Sequence, residues 1–175
     1  AVYTALQSEN ASSPKVFGQL TACDGSFLIG RTANPDFTLE DLRGKTIIAG
    51  RRGGMPAMTL EYALKQHGMI AGRDYTLNLD YEFGMVATAF EAGTGDYCTM
   101  FEPVASAYQS TGKGAIVASI GEMGGYVPYT AFIANEQYLH DNALQAEQFL
   151  RAVYRGYLYL MNAPIDDVVN ALMPQ

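Results

Sequence analysis

The sequence predicts an α/β protein built on a mainly parallel sheet flanked by helices. Three observations carry that reading. From Lys45 onward, short β-branched or aromatic runs alternate with segments of helical period. Glycine or proline marks most junctions between them. Hydrophobic residues make up 49% of the 175 and charged residues 17%, proportions of an ordinary globular chain. Strands that alternate with helices pair in parallel, because each crossover lays a helix over one face of the sheet.

The elements follow in order. Val16–Leu20 and GSFLIGR (Gly25–Arg31) read as strands, and Asn34–Pro35 then breaks the pattern. Thr38 with Asp41 three residues on predicts a capped single helical turn. Strand Thr46–Ala49 leads to helix Ala57–His67, whose Leu60, Leu64 and His67 share a face and whose Gly68 suits a C-cap. Strand Tyr75–Tyr81 leads to helix Met85–Ala92, with Val86 and Phe90 one turn apart. Strand Tyr97–Phe101 leads to helix Pro103–Ser110, opened by proline in its first turn. Strand Ala115–Ser119 follows, then strand Tyr129–Ala134 and a short helix near Asn135–His140. A long helix over Ala143–Asn162 carries Phe149, Val153, Tyr157 and Leu160 as one apolar stripe. Pro164 stops it, and Ile165–Leu172 reads as a further helix. No internal repeat or low-complexity linker interrupts the chain.

Composition narrows the function classes. The net charge is −7 with no basic block, which argues against nucleic acid as the main partner, since phosphate binding needs a concentrated cationic face. No apolar run approaches the roughly 20 residues that span a bilayer, and no basic start precedes an apolar run as in a signal peptide. Cys23 and Cys98 match no metal spacing, and Cys98, inside an apolar run, reads as a buried free thiol. His67 and His140 stand near helix ends, where a positive ring suits the dipole. There is no G-x-S-x-G elbow and no cluster with metal-ligand spacing, so the residues propose neither catalytic nor metal-binding groups, nor a cofactor.

The most informative stretch is LRGKTIIAGRRGGMP (Leu42–Pro56). A strand ends at Gly50, a loop with Arg51, Arg52, Gly53 and Gly54 follows, and a helix opens near Met55 and Pro56. That order leaves free backbone N–H groups at a helix N-terminus, suited to an anion or polar head. The loop lacks the lysine-hydroxyl ending of a nucleotide P-loop and the GxGxxG spacing of a dinucleotide site. In open α/β sheets ligands sit at the carboxyl ends of the strands. Four loops then converge there: Gly50–Pro56, Glu82–Gly84, Glu102–Pro103 and the segment around Ile120–Gly125.

Other candidates keep two readings each. Asp24 and Ser26, in TACDGS, suit a ligand contact or an Asx turn. Glu102 suits a ligand acceptor or a charge at the start of the next helix. Among twelve tyrosines, Tyr81 and Tyr129 lie at strand ends where a ring with a hydroxyl fits a pocket.

DLRGKTIIAGRRGGMPAMTLEYALKQHG, GTGDYCTMFEP and the block ending GGYVPYTAFIAN together resemble bacterial ABC-importer substrate-binding proteins of the nitrate/sulfonate/taurine type, a group overlapping the thiamine-pyrimidine-precursor binders. The resemblance covers about Phe17 to Asn162. It implies a type II periplasmic-binding-protein-like fold of two lobes around a solute cleft. On that basis residues 1–30 are a first-lobe remnant with the first crossover, 31–125 the second lobe, and 126–175 the second crossover with helices returning to the first lobe. The TACDGS loop then stands for a first-lobe or hinge contact, and GGMP and FEP for second-lobe contacts. The implied ligand-binding set is Asp24, Ser26, Arg52, Gly53, Gly54, Met55, Pro56, Tyr81, Glu102 and Tyr129. The implied partners are a small organic solute, either a sulfonate-like anion or a pyrimidine-like precursor, and an importer permease. The implied location is extracytoplasmic, in the periplasm or on a cell-surface lipoprotein.

Family members begin with a longer first-lobe stretch, whereas AVYTALQSEN looks like a helix already inside that lobe. The chain is therefore expected to be a fragment, with apolar surface that favours self-association. Two other classes stay in view. A pyrimidine-synthase-like enzyme on this fold needs a cysteine-rich stretch and a reactive histidine, which neither cysteine and neither histidine here supplies. A ligand-sensing module would use the same cleft.

Overall fold

The computed structural model describes residues 14–173. The helix expected over AVYTALQSEN lies outside the described residues. The chain divides into two compact units: Thr21–Thr130, and the residues up to Leu20 together with those from Ala131 onward.

The strands in chain order are β1 (Pro14–Thr21), β2 (Ser26–Gly30), β3 (Thr46–Ile48), β4 (Thr76–Asn78), β5 (Tyr97–Phe101), β6 (Ala115–Ser119) and β7 (Thr130–Asn135). In the larger unit five strands form one sheet in the order β4-β3-β5-β2-β6. β3 runs parallel to β4 and β5, while β2 is antiparallel to β5 and β6. Only β2 therefore opposes the common direction, and the sheet is mainly parallel as expected. GSFLIGR, expected as a strand, provides this interior strand.

Helices α1 (Met55–Gln66), α2 (Val86–Glu91), α3 (Val104–Ser110) and α4 (Ile120–Gly124) belong to this unit. Successive strand residues point to opposite faces, so Leu28 and Ile47 pack with Leu60 and Leu64 on one side. Ile29 and Ile48 pack with Val86, Phe90, Cys98 and Met100 on the other. Burial on both faces explains why these strands read as unbroken apolar runs. Cys98 is buried and free, as its surroundings foretold, and burial pushes its thiol up to about 12.

Boundaries shift for local reasons. α1 starts two residues earlier than expected, because Pro56 fits the first turn, where its missing N–H costs nothing. Its end matches Gly68, whose φ of +79° lets Met69 N–H reach the Leu64 carbonyl at 3.0 Å. β4 is only three residues long, and Asn78 then accepts from the Asp80 N–H at 3.0 Å to turn the chain. The 3₁₀ turn Phe83–Met85 precedes α2. The Thr38 turn exists as a 3₁₀ turn, Leu39–Leu42, with a complete capping box to Asp41.

One segment expected as loop is a helix. Ile120–Gly124 forms α4, with the Ser119 hydroxyl accepting from the Glu122 N–H at 3.3 Å. Two glycines in five residues masked its helical character, although Ser119-x-x-Glu122 is a capping pattern.

In the smaller unit β1 pairs with β7 as a two-stranded sheet. Helices α5 (Glu136–Asp141), α6 (Ala143–Asn162) and α7 (Ile165–Leu172) follow. Phe132 meets Phe149 edge-on at 4.8 Å, and Phe17 stands 6.1 Å from Phe149. No α6 residue is fully buried: along its apolar stripe Tyr157 and Leu160 stay exposed.

Candidate functional site

The carboxyl ends of β3 and β5 and the chain leaving β4 meet around a cavity of about 220 Å³ within the larger unit. Ala49, just past β3, lines it, and Arg51, Gly54, Met55 and Pro56 form the wall at the start of α1. Phe83, Phe101 and Tyr129 supply aromatic surfaces opposite. Phe83 and Phe101 stand 5.0 Å apart, and Tyr129 meets Phe101 edge-on at 6.4 Å. Gly50, at φ +80°, lets the chain turn beneath the Phe83 ring, which a Cβ there would touch at 3.4 Å.

The N-terminus of α1 faces this space with unspent donors. Its N-cap is Gly54, which has no side chain to cap the helix. Met58 N–H bonds the Gly54 carbonyl at 3.1 Å, but the N–H groups of Met55 and Ala57 have no partner among the described residues. Twelve helical residues align behind them, so the partial positive end of the dipole lies at the cavity. The exposed Arg51 guanidinium adds a full charge, and among the described residues its ion pair is with Glu82 at 4.0 Å.

Behind the aromatic wall lies a second polar group. The Val127 and Tyr129 N–H groups bond the Ala22 and Thr21 carbonyls at 2.9 and 3.3 Å, which brings Tyr129 beside the TACDGS loop. Asp24 is 5% exposed and its Oδ1 accepts from Ser26 N–H at 2.6 Å and Ser26 Oγ at 2.5 Å. This is the Asx-type turn that the sequence left open. Asp24 Oδ2 and the Tyr129 hydroxyl are buried without an ordinary hydrogen-bond partner. Burial, then the Asp24 charge, then a loose hydrogen bond towards Asp24 push the Tyr129 hydroxyl well above the usual phenol range.

Of the expected site residues, the cavity wall brings together Gly54, Met55, Pro56 and Tyr129. Arg52 and Gly53 lie exposed on the loop outside that wall, whereas Arg51 is part of it. Tyr81 is half-buried against the Phe90 cluster. Glu102 caps α3: its carboxylate accepts from Ser106 N–H at 3.1 Å and Ser106 Oγ at 2.6 Å. The Ile120–Gly125 segment contributes no residue to the wall, since it is wound into α4 against α1. Ala49, Phe83 and Phe101 were missed; their positions at strand ends, in the loops expected to converge, were the available signal. Among the described residues no group of three or more His, Cys, Asp or Glu stands close enough to hold a metal ion. Nor is any helix there long and apolar enough to cross a membrane.

The family model described as "NMT1/THI5 like" matches residues 15–166. The chain belongs to that family. YtlA of Bacillus subtilis (strain 168), provisionally named a binding protein, is 39% identical over 168 residues, 95% of this chain and 50% of YtlA. The alkanesulfonate-binding protein SsuA of Xanthomonas axonopodis pv. citri, solved with MOPS, has a TM-score of 0.71 at 19% identity, covering 91% of this chain and 52% of that one. The periplasmic aliphatic sulphonate-binding protein SsuA of Escherichia coli also reaches 0.71 at 17% identity, covering 97% and 55%. At these identities the two structures establish a shared fold, of the periplasmic-binding-protein type. The chain spans about half the length of each of these relatives.

Proposed function

We propose that this chain carries one wall of the solute site of an extracytoplasmic substrate-binding protein, which hands a small organic anion to an ABC-importer permease. The observation that carries this reading is the cavity at the start of α1, where Met55, whose N–H has no partner among the described residues, and Arg51 line the same space as three aromatic rings. Donors at a helix N-terminus suit a compact anionic head, and the rings suit an organic body. Two structural relatives named as sulfonate-binding proteins support the same class. The action is capture without turnover.

A second reading, a solute that also bears an amino group, is favoured by the orphaned Oδ2 of buried Asp24. Ethanesulfonate and taurine separate the two, since they differ by that amino group. Calorimetric titration of the chain with both is expected to give saturable binding; a marked preference for taurine that Asp24→Asn abolishes supports the second reading. No saturable heat with either compound contradicts the anion reading.

The apolar residues exposed on α6 and α7, among them Leu160 and Ile165, favour self-association of this chain. Sedimentation as a clean monomer at high concentration contradicts that part.

A further inference from the structure

Phe83 and Phe101 line two cavities, not one. Beside the cavity at the start of α1, they also border a second of about 190 Å³. Its other walls are Gly84 just before α2, Val86 and Ala87 of α2, Thr99 and Met100 of β5 and Val104 of α3, carbon-rich apart from the buried Thr99 hydroxyl, which has no hydrogen-bond partner among the described residues. Val86 and Met100 are almost fully buried and form a fixed floor, whereas Phe83 and Val104 are partly exposed at the rim. Phe83 sits on a short 3₁₀ turn, and the next residue, Gly84, has open space where a Cβ would lie.

We propose that this second cavity is an apolar subsite that receives the alkyl or aryl body of the solute, with Phe83 and Phe101 as the shared wall along which that body passes. The inference rests on the reading of the first cavity as the seat of an anionic head. An apolar cavity of about 150 Å³ is known to take benzene, so the space here fits a four- to six-carbon group or one aromatic ring. Head and body would then be read by different chemistry: helix N–H groups and Arg51 for charge, and the floor of Val86 and Met100 for size.

The test is a titration of the chain with methane-, propane-, butane- and benzenesulfonate, with methyl NMR signals of Val86, Ala87 and Val104 recorded in parallel. Full burial of each added methylene is expected to tighten binding about fourfold and to move those methyl signals. Ala87→Leu and, separately, Val104→Phe fill the space from α2 and from the rim. Either is expected to erase the chain-length gain while methanesulfonate binds as before. A flat series with intact methanesulfonate binding overturns the subsite and leaves the anion reading standing. If no sulfonate binds, the anion reading fails, and benzene alone decides the subsite. Benzene shifts at Val86 and Ala87 that vanish in the variants retain it, and absence of shifts overturns it.

Discussion

Tyr129 places its hydroxyl beside the carboxylate of Asp24, and neither Asp24 Oδ2 nor that hydroxyl finds an ordinary hydrogen-bond partner. The other carboxylate oxygen is fully used, by the N–H and hydroxyl of Ser26. One half of Asp24 thus builds the turn and the other half faces a ring of the site wall. Asp24→Ala leaves the Ser26 N–H buried and unpaired and is expected to cost about 1–3 kcal/mol. Tyr129→Phe removes a hydroxyl that makes no ordinary hydrogen bond and is expected to change stability by less than about 1 kcal/mol. Urea unfolding of both variants checks the contrast, and a larger loss in Tyr129→Phe contradicts it.

Gly121 lies against the same loop. A Cβ there would overlap the Asp24 carbonyl oxygen, which is backbone and has little freedom to retreat. Gly121→Ala is expected to destabilise the larger unit by about 1–3 kcal/mol. Gly84→Ala, with open space around it, serves as the control and is expected to unfold near the parent value. Equal thermal midpoints for the two variants contradict the close approach.

Asp74 ties the loop after α1 to the turn that precedes β3. It accepts from Arg73, from the Ile70 N–H and from Arg43, and these contacts lower its carboxyl to about 2 from a model-compound value of 3.8. A lowered folded value means stability that is present above pH 3.8 and lost as pH falls through about 2. Acid unfolding is therefore expected to steepen across that window in the parent and less so in Asp74→Asn. Superimposable acid profiles contradict the assignment.

Phe90 anchors the second sheet face, fully buried under the Arg31 guanidinium, which sits 4.0 Å from its ring centre. Phe90→Ala is expected to cost about 3–5 kcal/mol through lost burial and the cavity it leaves, read by denaturant midpoint. A loss under about 1 kcal/mol contradicts its place in the core.

The fold was legible where side-chain period and punctuation agreed. β5, β6, α6 and α7 lie at their expected residues because Gly or Pro bounds each run or the apolar period is long. α4 was hidden because Gly121 and Gly124 weaken the local helical pattern, and its stability comes from packing on α1. The glycine loop before α1 was readable as a donor-rich helix start, since strand, glycines and proline follow in order. Which side chains line the space was less readable. Arg51 and Arg52 are adjacent and chemically equal, and only loop geometry turns Arg51 to the cavity. Glu102 read in sequence as either a ligand acceptor or a charge at the start of the next helix, and the structure holds it on Ser106 one helical turn on. Phe83 and Phe101 carry no chemical flag, and their role comes from the sheet that brings two strand ends together.

The central claim is that an organic anion binds at the start of α1, and amide NMR of the chain titrated with propanesulfonate tests it most directly. The expected result is a saturable shift of the Gly54, Met55 and Ala57 amide signals, weakened up to about tenfold in Arg51→Ala and by added salt. Signals at those three amides that stay still at saturating propanesulfonate contradict the account.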